Sequence, residues 1–146
     1  MAELPEWVRQ LELSPHPEGG WFRETWRSEL TLDHAHLPPH YDGPRSAGTA
    51  ILFVLMPGQE SAWHTVRSAE LWLYHRGSPV TLEFGPEQAS ATTLLLGSDI
   101  ESGQHPQLLV PAGQWQRARA AGTEPSLVSC IVVPGFDFAD FSLDLD

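Results

Sequence analysis

The chain predicts an all-β domain of barrel or sandwich type with a short N-terminal helix, and three observations carry that prediction. Strand-like runs of four to seven residues recur at short intervals from residue 21 to residue 133, bounded by Gly, Pro, Ser and Asp turns. Val80, Thr81, Leu82, Glu83 and Phe84 alternate apolar and polar side chains, the signature of a half-buried antiparallel strand. A length of 146 residues, 41% hydrophobic with six Trp and six Phe, fills one core and requires no second domain.

Taken in order, residues 5–11 place Trp7, Val8 and Leu11 on one side of a short helix, and residues 15–20 break it with Pro and Gly. Strands are expected over residues 21–27, 49–55, 61–66, 71–74, 80–84, 92–96, 107–110, 115–119 and 127–133. The run 49–55 is apolar almost throughout, as when both faces of a strand are covered. Residues 30–45, with Pro38, Pro39, Gly43 and Pro44, read as a long loop whose His34, His36 and His40 are solvated. At the end of the chain, Phe136, Phe138 and Phe141 are expected to cover one end of the barrel or a dimer seam while Asp137 and Asp140 stay in water.

Composition removes several functions. A formal charge of −11, from 19 acidic and 8 basic residues, argues against nucleic acid and anionic membrane surfaces as partners. The longest apolar run, residues 50–56, is far too short to span a bilayer, and the N-terminal residues lack a leader pattern, so the expected location is cytoplasmic. All eight basic residues are Arg, which excludes lysine Schiff-base chemistry and leaves Arg23, Arg117 and Arg119 as candidates to meet any anion in a pocket. Cys130 is the only cysteine and sits among Leu127, Val128, Ile131 and Val132, where a thiol acts as a small apolar side chain.

The chemistry concentrates in two segments. Gly58, five residues, His64, one residue, Val66, three residues, Glu70, six residues and Gly77 form the first; Pro111, one residue, Gly113, two residues and Gln116 form the second. These are the spacings of the two cupin motifs, with Val66 and Gln116 in two of the four metal-ligand positions. An amide is a poor ligand for zinc or iron beside imidazole, and a valine side chain offers no donor at all. No metal cofactor is therefore expected; His64, Glu70 and Gln116 are the ligands if one binds.

The resemblance extends along the chain. The stretches HPEGGWFRETWR (residues 16–27), SAWHTVRSAELWLYHRG (61–77), GQHPQLLVPAGQWQRAR (103–119) and VVPGFDFADF (132–141) are similar to the cupin-5-type family of single-domain cupins. That likeness implies a double-stranded β-helix, or jelly-roll barrel, over residues 1–146, with a homodimer formed through sheet contacts.

In such a barrel His64 faces the interior, and on the next strand Glu70, Trp72 and Tyr74 share a face. An imidazole, a carboxylate and a phenol suit acid–base chemistry on a small polar or sugar-like metabolite: His64 takes a proton, Tyr74 returns one and Glu70 orients the imidazole. The resemblance to metal-free cupin epimerases and isomerases points the same way through His64. Trp63, Trp72, Gln107, Gln116, Arg23 and Arg117 are the candidate ligand-binding residues, with Ser61 and His75 expected to face away. A non-catalytic small-molecule-binding cupin is the alternative, and a mononuclear metal enzyme, a dioxygenase or decarboxylase, is the second alternative.

Overall fold

The computed structural model describes residues 3–144. A one-turn helix, α1 (Glu6–Arg9), precedes thirteen strands: β1 (Ser14–Pro15), β2 (Trp21–Arg27), β3 (Thr31–Leu32), β4 (Arg45–Ser46), β5 (Thr49–Leu55), β6 (His64–Val66), β7 (Ala69–Gly77), β8 (Val80–Gly85), β9 (Thr92–Leu96), β10 (Gln107–Val110), β11 (Trp115–Ala120), β12 (Ser126–Val133) and β13 (Phe141–Leu143). They build a six-stranded sheet in the order β1-β2-β5-β12-β7-β10, a five-stranded sheet in the order β13-β6-β11-β8-β9, and the small β3-β4 ladder. Strands far apart in the chain are thus neighbours, as in a jelly roll.

Alternation within each strand decides what the two sheets enclose. Along β12, Ser126, Val128, Cys130 and Val132 are buried while the residues between them are half-buried or exposed. The same period buries Glu70 and Trp72 on β7, and Gln116, Ala118 and Ala120 on β11. Leu55, Val80, Leu82, Leu96, Val110 and Val128 fill one part of the interior, with Phe53 and Trp72 in edge-to-face contact at 6.0 Å. Buried polar side chains, His16, His64, Glu70 and Gln116 among them, occupy another part.

Two glycines stand where the chain packs too closely for a side chain, one beside that polar part and one at the far end of β7. Gly20 has φ +83°, and a Cβ there would lie 2.7 Å from the Phe53 ring, so the turn after Glu18 can cross β5 only without a side chain. Gly77, at the end of the first motif, has φ +87° and would place a Cβ 1.8 Å from the Pro125 carbonyl oxygen.

Residues 30–45 are not the open loop that their composition predicts. They contain β3, a 3₁₀ turn at His34–His36 and the start of β4, and they are pinned by buried groups, although the three histidines are exposed as expected. Tyr41 shares a hydrogen bond of 2.7 Å with Ser68 Oγ. The Arg45 guanidinium grips Asp140 through Nε at 2.8 Å and Nη2 at 2.7 Å, with Asp42 on the same Nη2 at 2.7 Å. Asp140 is therefore 5% exposed rather than solvated, because a buried arginine needs a buried anion. Replacing Asp140 with Ala should cost about 3 kcal/mol in urea unfolding by stranding Arg45, and Asp42→Ala should cost far less. Equal effects of the two would contradict this division.

Candidate functional site

The candidate site begins in the turn before β2. His16 N–H donates to the Gly20 carbonyl at 2.9 Å, Gly19 N–H returns a bond to the His16 carbonyl at 2.9 Å, and Glu18 N–H donates to His16 Nδ1 at 3.1 Å. His16 Nδ1 is thus an acceptor and the proton of its neutral ring sits on Nε2. Edge-to-face contacts with Phe22 at 4.6 Å and Phe141 at 5.7 Å hold the ring. The Glu18 carbonyl accepts from Ala62 N–H at 2.6 Å, which ties this turn to the segment leading into β6.

His64 opens β6, opposite Gln116 of β11 in register. Its Nδ1 lies 2.8 Å from the Ala62 carbonyl and so carries the ring proton, leaving the Nε2 lone pair 3.4 Å from Glu18 Oε2. Gln116 joins the two motifs: its Oε1 accepts from Trp72 Nε1 at 3.0 Å and its Nε2 donates to Glu70 Oε1 at 2.9 Å. Ser61 Oγ accepts from Ala118 N–H at 2.8 Å, and its hydroxyl and the Cys130 thiol are close enough to influence the protonation of Glu18 and Glu70 respectively.

Glu18, Glu70, His16 and Cys130 line an inner chamber of about 30 Å³, walled otherwise by Phe22, Thr49, Ile51, Val66, Val132 and Phe136. That volume holds about two water molecules. Phe22, Thr49, Ile51 and Phe136 also line an adjoining vestibule of about 380 Å³, whose remaining wall is Glu24, Arg27, Asp137 and Phe138.

Burial governs the protonation of the inner groups. It pushes His16 down to about 4, helped by His64, and it pushes His64 down to about 4 against the opposing bond to the Ala62 carbonyl. Both imidazoles are neutral at pH 7. Burial raises Glu18 well above the usual carboxylate range, with repulsion from Glu70 adding to it and the Ser61 hydroxyl only partly offsetting it. Glu70 rises to about 7, restrained by the bonds from Gln116 and Cys130. With His64 neutral at pH 7 and Glu18 shifted toward its protonated form, their contact is not an ion pair. Among the described residues, Glu18 Oε2 is the buried side-chain polar atom left without a hydrogen-bond partner.

His64, Glu70, Gln116 and Trp72 come together as the motif spacing predicts, but His64 stands behind Glu18 and does not line the chamber. Tyr74 shares the inward face with Glu70, yet its hydroxyl is spent on the Gly77 carbonyl at the far end of β7. Gln107 and Arg23 are exposed, because each neighbours an inward residue, Leu108 and Phe22, and points the other way. Arg117, next to buried Gln116, also turns out: it bonds Glu83 at 2.8 Å and stacks over Trp63 at 4.6 Å, which removes Trp63 from the pocket. Ser61 points in because β6 starts only at His64, so strand parity does not run back to it.

His16 and Glu18 carry the centre without having been singled out. Their segment belongs to the stretches that resemble the family, but it is a turn between β1 and β2, where no periodicity shows that it folds against β6. Cys130 and Phe136, expected as ordinary packing, also reach the chamber wall.

The donor set does not fit the metal arrangement that the fold suggests. The Gln116 oxygen that would bind a cation is turned to the Trp72 indole, its amide hydrogens face Glu70, and Val66 holds another ligand position. Among the described residues, no three His, Cys, Asp or Glu side chains are grouped as a metal cluster.

Glu70 has a consequence for stability. The folded chain keeps its proton to about pH 7, whereas the unfolded chain releases it near 4.5, so between those values the folded state binds more protons and stability falls as pH rises. The fall is on the order of 3 kcal/mol. Glu70→Gln removes it while keeping an oxygen for Gln116 Nε2, and it also removes the repulsion that helps raise Glu18, so the difference between the two proteins reports both effects, which act in the same direction. The stability advantage of Glu70→Gln in urea unfolding should therefore grow from pH 4.5 to 7.5; a constant difference would show that Glu70 ionises normally.

Comparison with known proteins agrees with this architecture. The family described as "Cupin superfamily (DUF985)", Cupin_5, matches residues 5–144. The uncharacterized protein YML079W of Saccharomyces cerevisiae is 29% identical over 96% of this chain and 76% of its own length. Protein SO0799 from Shewanella oneidensis is similar in structure at TM-score 0.83 and 35% identity, over 99% of this chain and 85% of that one. A hypothetical protein from Leishmania major gives 0.82 and 33%, over 94% and 85%. An oxalate decarboxylase of B. subtilis, at 16% identity and TM-score 0.61 over 90% of this chain and 30% of that one, shares the fold alone. No helix among the described residues is long and apolar enough to cross a membrane. By its barrel, its two altered motifs and a match over nearly its whole length, the chain belongs to the Cupin_5 family of the cupin superfamily.

Proposed function

We propose that the chamber is a metal-independent acid–base site, of epimerase or isomerase type, for a small polar metabolite bearing a carbonyl group. The observation that supports this reading is the pair Glu18 and Glu70: both line one enclosed chamber, and burial makes one a standing acid and the other a base that titrates near neutrality. Glu70 as carboxylate takes a proton from the carbon beside the carbonyl while Glu18 gives its proton to the carbonyl oxygen. The product is an enol, with Glu70 now protonated and Glu18 ionised. Protonation of the enol on its opposite face, with the enol proton returned to Glu18, inverts that carbon; where the carbon carries a hydroxyl, Glu70 instead gives its proton to the former carbonyl carbon while the hydroxyl proton passes to ionised Glu18, and the carbonyl shifts.

Glu18 and Glu70 are the catalytic residues in this scheme, and His64 is a positioning residue. With Nδ1–H fixed on the Ala62 carbonyl, its Nε2 lone pair faces Glu18 Oε2 at 3.4 Å and backs that carboxyl from outside the chamber. The roles first expected of His64 and Tyr74 pass to Glu18 and Glu70, since neither of the former touches the chamber. A non-catalytic binding protein is the second reading, favoured by the mostly apolar wall of Phe22, Ile51, Val66, Val132 and Phe136.

Exchange of carbon-bound hydrogen in D₂O separates the two. Incubated with hydroxyacetone and glyceraldehyde, the protein prepared without chelator and free of transition metal should catalyse exchange, with Glu18→Gln and Glu70→Gln each at least about a hundredfold slower. His64→Gln should retain part of the rate. No exchange by the wild type would leave the binding reading, and activity that follows metal content would remove the metal-independent one.

A homodimer formed through sheet contacts completes the proposal, supported by Trp26 and Val133, which lie exposed together beside Gly48. Light scattering should give twice the chain mass, and Trp26→Glu should halve it; a monomeric wild type would remove the dimer.

A further inference from the structure

The two compartments differ in size and in what they can accept. The chamber takes about two heavy-atom groups, whereas the vestibule takes a larger body. Five of the ten residues around the chamber are Phe22, Ile51, Val66, Val132 and Phe136, and no arginine or lysine is among them. The vestibule contains Arg27, but its Nη2 is engaged with Glu24 at 2.8 Å and with the Phe136 carbonyl at 3.0 Å, and Asp137 adds a further carboxylate. Arg23, Arg117 and Arg119, the residues expected to meet an anion, line neither compartment.

Inside the chamber the polar equipment is complementary in another way. Glu18, its side chain 9% exposed, presents a buried oxygen with no partner, and Glu70 lies on the same wall with one oxygen held by Gln116. An acid and a base side by side match a ligand that accepts one hydrogen bond and donates the next. Burial disfavours charge of both signs there, since it neutralises the imidazoles as well as the carboxyls.

We infer that the ligand enters this chamber by an uncharged end in which a carbonyl stands beside a hydroxyl, and that its body is unphosphorylated and uncarboxylated. The inference rests on the acid–base reading of the same chamber and narrows it to neutral hydroxy-carbonyl compounds, such as short sugars. Nucleotide-linked and phosphorylated sugars fall outside the class, because a phosphate in the chamber would meet carboxylates and aromatic rings with no cation, and in the vestibule it would have to compete with Glu24 for Arg27 beside the Asp137 carboxylate.

The test uses matched pairs and the methyl groups of the wall. Protein carrying ¹³C-methyl Ile and Val is titrated at pH 7 with hydroxyacetone against dihydroxyacetone phosphate, and with glyceraldehyde against glycerate. The Ile51, Val66 and Val132 resonances should shift with the neutral member of each pair, and at least about tenfold more weakly with the anionic one. Glu18→Leu should weaken the neutral ligands at least about tenfold, whereas Arg23→Ala and Arg117→Ala should leave them unchanged. Anionic members that bind equally or better, or wall methyls that respond to no compound, would overturn the inference. A neutral compound that binds without hydrogen exchange would remove the acid–base reading and leave the ligand class standing; exchange confined to an anionic compound would do the reverse.

Discussion

The interior is organised by one uncharged side chain, Gln116. Its carbonyl holds the Trp72 indole and its amide holds Glu70, so a strand of each sheet is tied to the other through an interaction that needs neither a cation nor a charged partner. An imidazole there would leave its ring lone pair to be satisfied, which is the opening a metal fills in a ligand set of this kind. With glutamine in its place the polar contacts are closed within the protein. What stays open is displaced toward the N-terminal turn, where Glu18 Oε2 is buried without a partner.

That displacement places many titratable groups in and directly behind the chamber at little charge. His16, Glu18, His64 and Glu70 crowd together, and burial shifts each toward its neutral form. Elsewhere the fold buries charge in the opposite manner: Arg45 and Asp140 are paired by two hydrogen bonds and fasten residues 30–45 to the C-terminal segment. A fixed ion pair serves as a tie, and a neutral cluster leaves protons free to move.

Much of this was legible in the sequence, and the limits were those of periodicity. Alternation located the strands, and motif spacing put His64, Glu70, Trp72 and Gln116 in one place. The same rule misdirected Ser61 by carrying a strand through irregular chain, and it said that Tyr74 faces in without saying that its hydroxyl is taken by Gly77. His16 and Glu18 lie in a turn fixed by Gly19 and Gly20, and only the crossing of that turn over β5 and its bond to Ala62 bring them to β6. Asp140 looked like tail acidity because its partner, Arg45, is 95 residues away.

The central claim is that two carboxyls on one wall differ in protonation, and ¹³C NMR of the glutamate side-chain carboxyls, assigned with Glu18→Gln and Glu70→Gln, tests it most directly. The account predicts that the Glu18 signal remains that of a carboxylic acid at pH 7 while the Glu70 signal titrates near 7. Both signals titrating in the ordinary carboxylate range would contradict it, and the chamber would then hold two anions and no acid.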